Sequence, residues 1–207
     1  MKKNSFFDYF AEIFCKKDHN LFMIGSASRD FLLEREINDY DFVTDAFPEE
    51  SVEILKDFKL DLSFIKYGVV KVKYENKTFE FVSMRYESDY SDSRHPQKII
   101  FVRDIYTDAK RRDFTINCIY INKDYKIIDP YNGVKDLNNK IIRTIGDPYI
   151  RINEDPLRIL RAERFKKEYG FAYEINLEKV ILQNQDLIKK LNPEKVKSEL
   201  KKMEKFI

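Results

Sequence analysis

The sequence has little of what would assign its class at a glance. Two cysteines in 207 residues, Cys15 and Cys118, stand far apart with no C-x-x-C partner, which excludes a disulfide framework or a cysteine-built metal site. They read as core thiols of a reducing compartment. No run of 18 apolar residues occurs, so no membrane-spanning helix is expected. The opening stretch MKKNSFFDYFAEIF carries Asp8 and Glu12 where a secretory leader needs an apolar centre, and the expectation is a cytoplasmic, soluble protein. An excess of either charge is also missing: 38 Lys+Arg against 36 Asp+Glu leaves a net +2, so binding to a polyanion has to come from local clustering. Repeats, low-complexity tracts and Gly/Ser-rich spacers are absent.

What is present is 43% hydrophobic and 14% aromatic, enough for one compact core or for one domain with a smaller one attached. Two textures divide the chain. Up to about residue 130, short apolar runs (NLFMIG, YDFVT, GVVKVKY, KTFEFVSM, CIYI) alternate with turns, which predicts a mixed sheet with flanking helices. From about 136 onward helical periods take over. EDPLRILRAERFKKEYG reads as one helix with two acids and a proline in its first turn and a stop at Gly170. LEKVILQNQDLIKKL and PEKVKSELKKMEKF follow as amphipathic helices.

The chemistry concentrates in IGSASRDFLLEREINDYDFVTD. Asp39 and Asp41 alternate on an expected strand, so they face the same way, roughly 6 to 7 Å apart along the backbone. Two such carboxylates suit a hard divalent cation, which takes oxygen ligands and often phosphate oxygens from a substrate; a solvated surface pair is the plainer reading. Gly25 and Ser26 end a strand and open a helix, where backbone N–H groups and a hydroxyl can hold a phosphate. A metal cage beside an anion cradle suggests nucleotidyl transfer. Further on, RRDFTIN gathers Arg111, Arg112, Asp113 and Asn117, groups suited to phosphate and ribose, or simply a solvated helix start. In EDPLRILRAERF, Asp155 and Arg158 are placed at i, i+3 on one helix face with Arg161 and Arg164 continuing the stripe: a surface salt bridge, or an acceptor–donor edge for a nucleobase.

In this order and spacing, GSASRDFLLEREINDYDFVT, KYGVVKVKYENKTFEFVSMR, RRDFTIN, DPYNGVKDLNNKIIRTIGDP and EDPLRILRAERF resemble the bacterial-type (class II) tRNA nucleotidyltransferases. These CCA-adding enzymes share a head fold with DNA polymerase β-like transferases and with bacterial poly(A) polymerases. The resemblance runs from Leu21 to about Lys202. It implies an α+β chain: a DNA polymerase β-like nucleotidyltransferase head over residues 1–135, then an all-helical, nucleotide-selecting neck over 136–207.

The resemblance also implies roles. Asp39 and Asp41 become the catalytic carboxylates holding Mg²⁺, in a two-metal mechanism, while Gly25, Ser26 and Arg29 become the triphosphate turn. Arg112, Asp113 and Asn117, with Arg111, contact ribose and phosphate. Asp155 and Arg158 act as a protein template for CTP or ATP, with Arg161 and Arg164 toward nucleotide or primer phosphates. Glu80 is either an extra acid near the metals or a structural residue. The implied substrates are the tRNA 3′ end, CTP and ATP, with no membrane involved. MRYESDYSDSRHPQKIIFV resembles the loop that accompanies A addition; His95 within it reads as a loop residue and not as a ligand or base, and His19, just before the first strand, as a structural residue.

Two features depart from the family. Gly-Gly gives way to Gly25-Ser26, which is tolerable if position 26 needs no positive φ. Family members also continue through helical body and tail domains that grip tRNA, so a truncated piece, a minimal enzyme, and a homo-oligomer or a subunit relying on a partner all stay open. So do A-only, CC-only and poly(A)-type RNA tailing, and a non-catalytic RNA-binding module.

Overall fold

A computed structural model describes residues 3–90 and 96–206, the side chains of 89, 90, 96, 97 and 205 excepted. The first helix, α1 (Ser5–Cys15), starts where the Asn4 side chain accepts the Phe7 N–H, satisfying one orphan donor of the first turn. Its buried residues Phe7, Phe10, Ala11 and Phe14 recur at the spacing of one helical face. From the sequence alone this stretch reads only as an interrupted apolar segment.

Among the described residues the largest sheet has seven strands in the order β3-β4-β5-β2-β1-β8-β9. They are β1 (Leu21–Met23), β2 (Tyr40–Thr44), β3 (Lys59–Asp61), β4 (Val69–Tyr74), β5 (Lys77–Ser83), β8 (Tyr120–Ile121) and β9 (Ile127–Ile128). Only β2 and β5 pair in parallel, the others antiparallel, so the sheet is mixed as predicted. All five apolar runs read from the sequence supply strands to it. Strands β6 (Arg85–Tyr90) and β7 (Pro96–Phe101) form a separate pair. The predicted A-addition loop falls on this pair, and its residues 91–95, His95 included, lie outside the described residues.

One face of the large sheet is aromatic. Phe42, Phe79, Phe81, Val70 and Val72 meet α1 in a single core, with Phe10 at 4.9 Å from Phe79 and 5.0 Å from Phe81 between ring centroids. Because strand side chains alternate, burying Tyr40 and Phe42 turns Asp41 to the opposite face. The core thus fixes which way the acidic residue looks. Helices α2 (Gly25–Leu32), α3 (Pro48–Ile54) and α4 (Ile105–Lys110) complete this part. Neither cysteine is in a disulfide; Cys118 is buried, but Cys15 is only half-buried at the end of α1, so it is not a core thiol.

The chain divides into two compact units that interleave in sequence. The first holds Met1–Glu87, Lys98–Arg111 and Asn117–Pro130; the second holds Ser88–Gln97, Arg112–Ile116 and Tyr131–Ile207. The second unit carries α5 (Gly133–Asn138), α6 (Pro148–Glu154), α7 (Leu157–Tyr169), α8 (Ile175–Gln183) and α9 (Pro193–Met203), plus a short parallel pair, β10 (Ile141–Ile142) with β11 (Ala172–Tyr173). Leu157, Leu160 and Met203 pack with Ile188, Leu191 and Val196 to join α7 to α9.

Two helix expectations are corrected. LEKVILQNQDLIKKL is not one helix: α8 ends at Gln183, Asn184 leaves the helical region (φ −121, ψ 20), and Gln185–Lys190 forms a separate 3-10 helix. EDPLRILRAERFKKEYG is not a single helix from its first acid. Helix α6 ends at Glu154, Asp155 is extended (φ −147, ψ 94), and α7 begins at Leu157 after Pro156. Proline lacks an N–H and pushes the residue before it out of the helical region. Asp155 and Arg158 therefore do not share a helix face, although the Arg158 N–H still donates to the Asp155 carbonyl at 3.0 Å. The stop is where the sequence put it: Gly170 ends α7 at φ +67, a conformation glycine takes without a Cβ clash.

Candidate active site

At the open end of β2, four of the expected residues meet. Ser26 Oγ donates to Asp41 Oδ2 at 2.8 Å and to the Asp39 carbonyl at 3.4 Å. Gly25 has φ +62, and a Cβ there would lie 3.3 Å from Asp41 Oδ2. Glycine is thus demanded at 25 both by backbone conformation and by the approach of the carboxylate. Ser26 is not among the positive-φ residues, so the serine in place of a second glycine carries no backbone strain. Ile24 precedes α2 with no side-chain cap, and the positive end of that helix lies beside the two acids. Asp39 is exposed and Asp41 half-buried.

Among the described residues no three His, Cys, Asp or Glu side chains are grouped to hold a metal ion. A site with two carboxylates fits a cation that completes its shell with water and phosphate oxygens, the habit of Mg²⁺, and does not fit an all-protein cage. Glu80 is the Cα partner of Asp41 across β5 and β2, but its carboxylate pairs with Lys71 Nζ at 2.6 Å.

Arg29 is 2% exposed and its guanidinium donates to Asn117 Oδ1. The two stand 88 positions apart and bind each other, tying the last turn of α2 to the end of RRDFTIN. Arg111 lies in a half-buried network: Nε donates to Asp108 Oδ1 at 2.8 Å and Nη1 to Glu87 Oε1 at 3.4 Å. Arg85 shares Glu87 at 2.6 Å, and Tyr120 donates to Asp108 at 2.8 Å. Burial lowers the Arg85 pKa, helped by the charge of Arg111 and opposed by Glu87 and Asp108. His19 Nδ1 lies 3.2 Å from Asp45 Oδ1.

The remaining candidates lie in the second unit. Asp113 Oδ1 accepts its own loop's Phe114 N–H at 2.7 Å, and Oδ2 accepts Arg161 Nε at 2.8 Å. Burial works against the Arg161 charge, but Asp113 outweighs it and raises the pKa above its ordinary value. The Arg112 carbonyl accepts Arg151 Nη2 at 2.8 Å. Arg158, 5% exposed, donates through Nη1 to Glu154 Oε2 at 3.0 Å and to the Arg151 carbonyl, while Asp155 Oδ1 accepts the Leu157 N–H at 3.1 Å and starts α7. Arg164 is held by Glu199 at 3.0 Å and Glu168 at 3.1 Å. The structure thus joins Gly25, Ser26, Asp39 and Asp41, pairs Arg29 with Asn117 and Asp113 with Arg161, and gives Arg158 and Arg164 glutamate partners. Glu154 and Arg151 are not legible in the sequence as the partners of Arg158; the acid one turn before Arg158 is the available signal.

A family model described as the poly A polymerase head domain matches residues 21–143. The CCA-adding enzyme of Lactobacillus helveticus (strain DPC 4571) is 41% identical over 182 residues, 88% of this chain and 45% of that protein. A Bacillus stearothermophilus CCA-adding enzyme, solved in complex with CTP, superposes with a TM-score of 0.83 at 33% identity over 95% of this chain and 47% of its own. A tRNA nucleotidyltransferase solved with a primer tRNA and an incoming ATP analog gives a TM-score of 0.75 at 29% identity, covering 92% of this chain and 54% of its own. The chain spans about half the length of these relatives.

Proposed function

The chain belongs to the poly A polymerase head-domain family, and from that premise we propose that it transfers CMP and AMP from CTP and ATP to the 3′ end of tRNA without a nucleic-acid template. The observation that carries this reading is the packing of the Gly25–Ser26 turn on Asp41 beside Asp39, an arrangement suited to a phosphate and a cation at one strand–helix junction. Relatives named CCA-adding enzymes along 88% of the chain support the tRNA-directed branch.

In this reading Asp39 and Asp41 hold Mg²⁺. Bound there, the cation supplies Lewis-acid neutralisation of charge on the phosphate oxygens and eases ionisation of the attacking hydroxyl. The first-turn N–H groups of α2 hold the triphosphate, and Ser26 hands its hydrogen bond from Asp41 to a phosphate oxygen. Arg29 acts by fixing Asn117 rather than by touching phosphate, and Arg111 by holding the chain before Arg112. Arg112, Asp113 and Asn117 present ribose and phosphate contacts. Asp155 and Arg158 present the base-selecting edge, with Glu154 fixing the guanidinium, while Arg161 and Arg164 add positive charge toward nucleotide or primer. Residues 1–135 act as head and 136–207 as neck. Positioning and electrostatics supply the rate, with no covalent intermediate. We place the protein in the cytoplasm; among the described residues no helix is long and apolar enough to cross a membrane.

Asp41→Ala tests the assignment. Nucleotide addition falls to background at every Mg²⁺ concentration while the circular dichroism spectrum stays native. Turnover matching the unmodified chain would remove the carboxylate pair from the chemistry.

A further inference from the structure

Pairing register lines up four charged residues across four strands. Asp61 of β3 faces Lys71 of β4, Lys71 faces Glu80 of β5, and Glu80 faces Asp41 of β2. Residues directly opposed in this way share one face of a sheet, so the row reads acid, base, acid, acid. It ends at the carboxylate assigned above to the cation. Lys71 Nζ lies 2.6 Å from Glu80 Oε1 and 5.3 Å from the centroid of the Phe64 ring. The Lys71 side chain is 27% exposed and that of Glu80 38%, so water screens the pair only in part.

Lys71 cannot leave this row by turning over. Val70 and Val72 on either side of it are fully buried against the aromatic core, and a one-residue slip would exchange every side chain of β4 between faces. Its positive charge is therefore a fixed part of the acidic face. Two carboxylates on directly opposed positions repel, and the ammonium on the far side of Glu80 offsets that repulsion when no cation is bound. The same ammonium opposes a second positive charge arriving beside Asp41.

We infer that Lys71 is a positioning residue, the built-in counter-charge of the Asp61–Lys71–Glu80–Asp41 row, which draws Glu80 toward itself and sets how tightly Asp41, with Asp39, holds a divalent cation before nucleotide arrives. The inference rests on the metal assignment proposed above. With Lys71 in place the carboxylates hold a cation weakly on their own and depend on the triphosphate to complete the shell.

The test is Mn²⁺ binding to the 207-residue chain without nucleotide, read from the electron paramagnetic resonance signal of unbound Mn²⁺. Lys71→Met binds Mn²⁺ roughly two- to fivefold tighter than the unmodified chain, from the Coulomb term of one unit charge at this range in a high effective dielectric. The gap narrows as salt is raised. Lys71→Arg, which keeps the charge, binds as the unmodified chain does, and Asp41→Asn loses the site. Lys71→Gln serves in place of the methionine variant if that one fails to fold. Equal or weaker affinity in the neutral variant, with Asp41→Asn still abolishing binding, overturns the role of Lys71 alone. A melting temperature that falls while Mn²⁺ affinity stays put overturns that role as well, since it marks a merely structural lysine. Mn²⁺ binding unchanged in Asp41→Asn overturns the metal assignment beneath it.

Discussion

Asp155 and Arg158 stand three positions apart and make different commitments. Arg158 is buried and held by Glu154 and the Arg151 carbonyl; Asp155 sits in the extended link before α7 with one oxygen on the Leu157 N–H. A guanidinium fixed through one nitrogen loses little entropy on meeting a base, which is what a selecting edge requires. Asp155→Ala should leave triphosphate affinity nearly intact and reduce the preference for CTP and ATP over UTP by on the order of 10- to 100-fold, the worth of one bidentate base contact. Competition between nucleotides, scored by 3′-end sequencing, reads the ratio. Selectivity equal to that of the unmodified chain removes Asp155 from base recognition.

At the scale of elements, the first unit depends on one helix against one sheet face. Phe10 is fully buried and touches Phe42, Phe58, Tyr74, Phe79 and Phe81. Phe10→Ala should cost about 3–5 kcal/mol in a urea melt, the usual penalty for deleting a buried ring; a loss below about 1 kcal/mol would mean that α1 does not build the core. The second unit has an ionic tie between α7 and α9. Burial opposes ionisation of Glu199, but the Lys202 hydrogen bond and the charges of Arg164, Lys202 and Arg161 outweigh it and hold the carboxyl below its ordinary 4.5. A folded-state pKa below the unfolded one gives stability that is present above the unfolded value and lost as pH falls through the folded value. The melting temperature of the unmodified chain should therefore drop as pH is lowered below 4.5, and Glu199→Gln should be less stable at neutral pH and flatter over that acid range. Equal acid slopes would show that Glu199 is not the titrating group.

How much of this is readable in the sequence follows the range of each interaction. YDFVT and KTFEFVSM announce their strands because apolar alternation is local, and Gly170 announces the end of α7 for the same reason. The orientation of Asp41 follows from the strand period, but Asp39 lies just before β2 (Tyr40–Thr44) and not on it, so alternation alone does not set the two acids side by side. The aromatic stripe Phe7–Phe10–Phe14 is present in the letters, but acids at 8 and 12 on the other face hide it from a search for continuous apolar runs. Pro156 passes for a first-turn residue of a longer helix because α6 just before it has a weak pattern. The partnerships Arg29–Asn117 and Arg161–Asp113 cross 88 and 48 positions; no local signal distinguishes an arginine waiting for phosphate from one already holding a side chain.

At the scale of the whole molecule, a net charge of +2 gives no general attraction to RNA, so the tRNA binding proposed above would rest on clustered cations and should fall steeply with salt. The chain spans about half of its curated relatives, and the claim that it carries the complete nucleotide-adding chemistry is the central one. It is tested most directly by incubating the chain with Mg²⁺, CTP and ATP, alone and together, on one tRNA ending at the discriminator base and another ending in CC, and sequencing the 3′ ends. The account predicts CC from CTP alone on the first, A from ATP alone on the second, CCA from both, and nothing from UTP or GTP. Open-ended A tails, or incorporation of all four nucleotides without preference, would contradict it.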